Sequence, residues 1–201
     1  MNNIDKFFDV DPAIFASKYL DYLAKVLKAI DINSIAQFAH ALLDAREREA
    51  NIFFIGNGGS ASTASHFAND ISIGTNSYEK PFKAISLTDN QAIITAISND
   101  FGYDEVFARQ IRVLGKKEDL LIGISASGNS PSLIKAFEYA KLSEIRTVAI
   151  TAFDGGKMKK MADLSVHVCT DNKEYGPAED AHMVLAHLIS AYLTRYITLL
   201  D

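Results

Sequence analysis

Five short apolar runs, each stopped by a turn or a polar residue, constrain this chain more than any other feature. They are NIFFIG at 51–56, FKAISL at 82–87, DLLIGIS at 119–125, RTVAIT at 146–151 and LSVHVC at 164–169. Each is too short for a buried helix, so they read as strands covered on both faces, as in a parallel sheet. Helical periodicity fills the gaps over 60–73, about 89–98, 104–114, 131–142 and 156–162. This strand–helix alternation predicts a doubly wound α/β fold.

More helix flanks these units. Asp11 and Pro12 read as an N-cap and the first helical position. Phe15, Tyr19, Leu23, Val26, Leu27 and Ile30 follow at helical spacing, and a second helix carries Ile35, Phe38, Leu42 and Leu43. Its charged end, 45–49, reads as a solvated face. A mostly apolar last helix is expected over 177–199, opening at Pro177. One sheet face does not need this much helix, so the flanks read as packing helices that build a subunit interface. With no repeat and no linker, residues 1–201 read as one domain. Residues 1–50 are its oligomer-packing helices, and 51–201 are the α/β core with the C-terminal helix.

Composition narrows the function classes. Lys plus Arg is 20 and Asp plus Glu is 25, a net charge of −5. That balance does not suit a protein that coats nucleic acid or an anionic membrane by charge. No apolar run reaches the ~20 residues that span a bilayer, and MNNIDKFFDVDP lacks a basic stretch followed by an apolar one, so no secretory signal is expected. A single cysteine, Cys169, allows no intrachain disulfide and fits a reducing, cytoplasmic compartment. Within LSVHVC it reads as a packing residue.

In doubly wound sheets ligands bind beyond the carboxyl ends of the strands, so the loops there carry the functional reading. After the first strand comes Gly56-Asn57-Gly58-Gly59-Ser60, leading into a helix. Glycines let backbone N–H groups approach a ligand, and the helix start adds partial positive charge. The dinucleotide pattern fails at Ala61 and no Walker lysine is present. A tight turn with no ligand is the plain alternative. After the third strand comes Ser125-Ala126-Ser127-Gly128-Asn129-Ser130, then Pro131. Ser130 alone could be an N-cap, but three hydroxyls and a glycine at a helix start suit a phosphate monoester held for positioning.

Two helices carry candidate reactive groups. His66 and Asp70 stand at i and i+4 on one face. Glu179, Asp180, His182 and His187 cluster on the last helix, where Glu179 and His187 differ by about 80° and can converge from successive turns. His66, Asp70, Glu179 and His187 form a two-histidine, two-carboxylate set suited to Zn²⁺ or to acid–base chemistry. His40 and His182 read as solvated surface residues, and His167, inside a strand, as packing.

GNGGSA with its His66/Asp70 helix, NDFGYDEVFARQ, GISASGNS, TAFDGGKM and EDAHMVLAH occur in this order. Together they resemble the sugar isomerase (SIS) domain family, within it the phosphoheptose isomerase group, over about residues 10–198. The resemblance implies a three-layer sandwich with a five-stranded parallel sheet, assembled as a homotetramer with sites at subunit interfaces. It implies conversion of sedoheptulose 7-phosphate to D-glycero-D-manno-heptose 7-phosphate through an enediol, feeding lipopolysaccharide or capsule. On this chain it puts a phosphate cradle at Ser125, Ser127 and Ser130 with Ser60, and sugar contacts at Asn57, Gly58, Asp89 and Glu179. One Zn²⁺ falls on His66, Asp70, Glu179 and His187, the catalytic base on Asp70 and the acid on His187.

The chain departs from the family at Asp70 for a glutamate, Glu179 for a glutamine, Gly74 for an arginine, Gly176 for an aspartate and Ala126 for a threonine. Two alternatives follow: a non-catalytic SIS scaffold that binds the replication initiator, or a diverged isomerase of another keto-sugar phosphate. Neither direct nucleic-acid binding nor membrane binding is expected.

Overall fold

All five apolar runs form strands, and all pair parallel: β1 (Asn51–Gly56), β2 (Lys83–Ser86), β3 (Leu120–Ser125), β4 (Arg146–Thr151) and β5 (Leu164–His167). The computed structural model describes residues 1–199. The spatial order is β2-β1-β3-β4-β5, a doubly wound order whose reversal lies between β1 and β3. Its helices are α1 (Asn3–Phe7), α2 (Pro12–Lys28), α3 (Ile32–Glu47), α4 (Gly59–Ser72), α5 (Gln91–Phe101), α6 (Val106–Leu114), α7 (Pro131–Leu142), α8 (Gly156–Met161) and α9 (Tyr175–Thr198).

Side chains alternate across the sheet because the strand period is two. Ile52 and Phe54 of β1 pack with Phe38 and Leu42 of α3, Phe67 and Ile71 of α4, and Leu185 and Ile189 of α9. Phe53 and Ile55 face the other way, toward Phe107 and Ile111 of α6, Leu133 and Phe137 of α7, and Met158 of α8. Helices on both faces make the three-layer sandwich that was expected. Phe67 sits at the hinge of the first core, 5.0 Å from Phe54 and edge-on to Phe38 at 5.8 Å.

The ends of elements follow local chemistry. Asp11 accepts from the Ala13 N–H at 2.8 Å and Pro12 opens α2, as the sequence indicates. The short α1 lies ahead of the helix start read at Asp11. It is held by a reciprocal Asn2/Asp5 capping box. The last helix begins at Tyr175, two residues before Pro177, because proline in a first turn forfeits no intrahelical bond. Its N-cap, Glu174, is fully buried and accepts from the Asn3 N–H, the Asp171 N–H and the Tyr22 hydroxyl. Burial, then the Glu174 bond, pushes the Tyr22 phenol up to about 12.

Two sequence expectations are corrected. The fifth strand ends at His167, so Cys169 lies beyond the sheet and is exposed rather than packed. His182 is not solvated. It is 1% exposed among the apolar residues of α9, and neither ring nitrogen has a hydrogen-bond partner. Its helix face points at the sheet, which a local count of polar neighbours does not reveal. His40 is exposed, as expected, and His167 is half-buried with its Nδ1 3.1 Å from the Thr151 hydroxyl.

Among the described residues no helix is long and apolar enough to cross a membrane. Apolar side chains are exposed on several helices, among them α5 and α9. α5 has no buried residue and exposes Ile93 and Phe101, and α9 exposes Val184, Leu188, Tyr192 and Tyr196.

Two outcomes are expected from this core. At Gly123, in the middle of β3, a Cβ would come 2.5 Å from Phe137 and 2.7 Å from Met158. Gly123→Ala should cost about 1–3 kcal/mol by overpacking, read as a lower denaturation midpoint. Burial lowers the His182 pKa to about 4, against about 6.5 in an unfolded chain. The unfolded state then binds a proton that the native state refuses, so stability falls as pH drops from about 6.5 toward 4, by up to about 3 kcal/mol. In urea titrations at pH 7.5 and 5.0, His182→Leu should show a smaller loss between the two than the parent protein.

Candidate active site

The β1–α4 and β3–α7 loops flank the point where strand order reverses, and they enclose a cleft of about 300 Å³. Asn57, Gly58, Gly59 and Ser60 line one side and Ser125, Ala126, Ser127 and Ser130 the other, with Tyr175 and Glu179 closing it from α9. The cleft is thus bounded by the N-termini of two helices of 14 and 12 residues. Gly58 is the N-cap of α4 at φ 55°, ψ −125°, a conformation that favours glycine, and no side chain caps that end. Ser130 is the N-cap of α7, yet its hydroxyl makes no capping bond. The capping alternative therefore leaves this hydroxyl unexplained. Ser125 Oγ accepts from the Gly128 N–H at 3.1 Å and Ser127 Oγ from the Asn129 N–H at 3.3 Å. The lining offers neutral hydroxyls and helix-end amides with no Lys or Arg among them, a donor set of the kind that suits an anion.

A second cluster lies further along the same helices. His66 and Asp70 come from α4 and His187 from α9. His66 Nε2 is 2.9 Å from His187 Nε2 and 3.2 Å from Asp70 Oδ2. One ligand atom from each residue lies within 4.8 Å of the others. A tetrahedral Zn²⁺ with bonds of about 2.1 Å separates its ligand atoms by about 3.4 Å, so these residues fit such an ion with a position left open.

Glu179 is not part of that cluster. Its carboxyl sits against Gly59, where a Cβ would overlap it. Burial, then the Asp180 charge, raises its pKa. Glu179 and His187 lie about 80° apart around α9, but eight residues of helix separate them by about 12 Å along the axis. Asp89 is likewise outside the cleft lining. After β2 it accepts from the hydroxyls of Ser65 and, at 3.1 Å, Thr88. Ser65 precedes His66 on α4, so Asp89 is tied to the helix that carries the cluster.

Gly59 meets Glu179 at the start of both helices, and His66 meets His187 further along both. α4 and α9 therefore run side by side in the same direction, with the cleft at one end and the His/Asp cluster on the order of 10 Å on. Gly176 lies where a Cβ would be 2.9 Å from the Tyr19 hydroxyl, which donates to Asp180 at 2.6 Å. The room left by the small residue is taken by a tyrosine from α2. Tyr175 and Ser132 also reach the site or its edge with no sequence signal to single them out, and Tyr103 does so from within NDFGYDEVFARQ, a motif that by itself assigns it no role. Tyr103 and Asn57 are 46 residues apart, and only the fold makes them neighbours.

Residues 18–152 match the family model for the SIS domain. The chain belongs to the SIS domain family. Among its curated relatives, the phosphoheptose isomerase of Helicobacter pylori strain P12 is 40% identical over 179 residues, covering 89% of this chain and 88% of that protein. The probable phosphoheptose isomerase of Thermoplasma acidophilum is 36% identical, over 89% of this chain and 97% of its own. Among solved structures, a phosphoheptose isomerase from Neisseria gonorrhoeae superposes with a TM-score of 0.79 at 30% identity, covering 89% of this chain and 96% of that one.

Proposed function

We propose that this protein is an aldose–ketose isomerase that converts sedoheptulose 7-phosphate to D-glycero-D-manno-heptose 7-phosphate through an enediol. One observation carries the reading. An anion cradle and a His/Asp pair stand at two ends of one stripe, about 10 Å apart along α4 and α9. An open-chain sugar phosphate bound by its phosphate at the cradle would lay its carbonyl end near that pair. The 40% identical relative named a phosphoheptose isomerase supports the choice of sugar.

The proposed roles follow from position. Ser125, Ser127, Ser130 and Ser60 hold the phosphate through hydroxyls and helix-end N–H groups. Asn57 and Gly58 orient the sugar hydroxyls and Glu179 borders the cleft, while Asp89, outside the lining and tied to Ser65 and Thr88, would meet the sugar only where it extends along α4. Asp70 takes a proton from C1 and returns it to C2, while His187 donates a proton to the C2 carbonyl oxygen and then accepts the one released from the C1 hydroxyl. Asp70 is one methylene shorter than a glutamate, so its reach depends on α4 and α9 staying close.

His66, Asp70 and His187 would hold one Zn²⁺ per subunit, with Glu179 entering only if its side chain swings away from Gly59. When bound, the ion would polarise the substrate's oxygens. The exposed apolar faces of α5 and α9 support a homotetramer, and the single cysteine supports a cytoplasmic enzyme. Its product would enter heptose precursor synthesis for lipopolysaccharide or capsule.

Incubation with sedoheptulose 7-phosphate should yield the aldose, with His187→Ala and Asp70→Asn each lowering kcat/KM by about 10²–10⁴-fold. Unchanged turnover in both variants would remove the assigned roles. Ser127→Ala should raise KM more than it lowers kcat, because the cradle binds ground and transition states alike. Zn²⁺ added to chelator-treated protein should raise Tm by mass action, and His66→Ala should abolish that rise. An unchanged Tm in the parent protein speaks against the ion.

A further inference from the structure

Asn57 lines the cleft with its amide clamped between two hydroxyls. The Tyr103 hydroxyl donates to Asn57 Oδ1 at 2.8 Å, and Asn57 Nδ2 donates to Ser132 Oγ at 3.0 Å. An asparagine amide has two N–H donors and two acceptor positions on its oxygen. The clamp uses one of each, leaves one of each for a ligand, and fixes the plane in which they point.

The clamp is itself held. Ser132 is 1% exposed in the first turn of α7. Tyr103 opens a 3-10 turn, Tyr103–Glu105, that follows Gly102, whose φ of 90° lets the chain turn sharply after α5. Glu105 pairs with Lys135 of α7 at 3.0 Å, and the guanidinium of Arg109 stacks 3.3 Å over the Phe101 ring. Tyr103 and Ser132 are therefore both fastened to α7, the helix whose start forms the cradle. The tyrosine ring remains half-exposed, so its contact with Asn57 is not a by-product of core packing.

We infer that Tyr103, with Ser132 behind it, is a positioning residue that orients the Asn57 amide toward the sugar of a bound phosphosugar. The inference rests on the isomerase reading for its substrate, and on the two hydrogen bonds alone for its geometry. Tyr103 acts through Asn57, and so on how the sugar is seated rather than on proton transfer at Asp70 and His187.

The test is a double-mutant cycle on the full chain with sedoheptulose 7-phosphate. Tyr103→Phe should raise KM about 3–10-fold, as expected for one neutral hydrogen bond, with kcat changed less than about twofold and Tm unchanged. Asn57→Ala should raise KM further. In the double variant, KM should equal that of Asn57→Ala, because the tyrosine has lost the group it orients. Additive effects, or a kcat loss as large as the KM change, would overturn the inference. A crystal structure of Tyr103→Phe gives a readout independent of activity: the Asn57 amide should leave its single orientation, and an unmoved amide would refute the proposal. If the parent protein does not turn over this sugar, the isomerase reading fails, and the crystallographic comparison still decides the role of Tyr103.

Discussion

The parallel packing of α4 against α9 is the contact on which the rest of the site depends. It rests on ordinary apolar burial: Phe67 and Ile71 from one helix, Leu185 and Ile189 from the other, and the face of β1 between Ile52 and Phe54. Because the two helices run in the same direction, their N-terminal ends share the cleft and their middles share the His/Asp cluster. A slip of one helical turn, about 5.4 Å, would separate His66 from His187 and move Glu179 off Gly59. The start of α9 is therefore fastened with unusual care. Glu174, buried as its N-cap, draws in the backbone of Asn3 and Asp171 and the hydroxyl of Tyr22. Removing one partner of such a buried carboxylate leaves a desolvated charge, which is why α1 and α2 belong to the site's support as much as to its periphery.

The same architecture reconciles a net charge of −5 with the proposed anion site. Two helix starts and several hydroxyls converge at the reversal of strand order, where field and hydrogen bonds replace formal positive charge. Such a cradle binds without the lysine and magnesium apparatus of phosphoryl transfer. It suits a phosphate that is a handle for the substrate while the chemistry happens at the other end. At Gly176 the missing side chain leaves room for Tyr19, tied to Asp180.

Much of this was legible in the sequence because the signals are local. The five apolar runs match the five strands, but only β1, β3 and β4 are buried on both faces; β2, at the sheet edge, has no buried residue and β5 has one, because an edge strand lacks a neighbour on one side. Asp11 and Pro12 cap α2 as their types require. His66 and Asp70, at i and i+4, share a face by helix geometry. Misreadings arose where burial or reach depended on distant partners. Cys169 belongs to an apolar run, yet pairing stops at His167. His182 follows Glu179 and Asp180 closely in sequence, but its face turns toward the sheet. Glu179 shares an angle with His187, but its carboxyl rests against Gly59, two turns of rise from the His/Asp cluster.

By itself the sequence determined the alternation of strand and helix, the glycine and serine loops at the strand ends, and the residues able to bind an anion or move a proton. These are properties of short segments, set by periodicity and by the chemistry of each side chain. Only the tertiary structure decided which of those residues meet. It placed the two loops on either side of one cleft, joined His187 to a pair 121 residues away, set Glu179 apart, and brought Tyr103 onto Asn57. The physical reason is that strand order and helix direction are chosen by burial of the whole core, and a local stretch carries no record of what the rest of the chain will press against it.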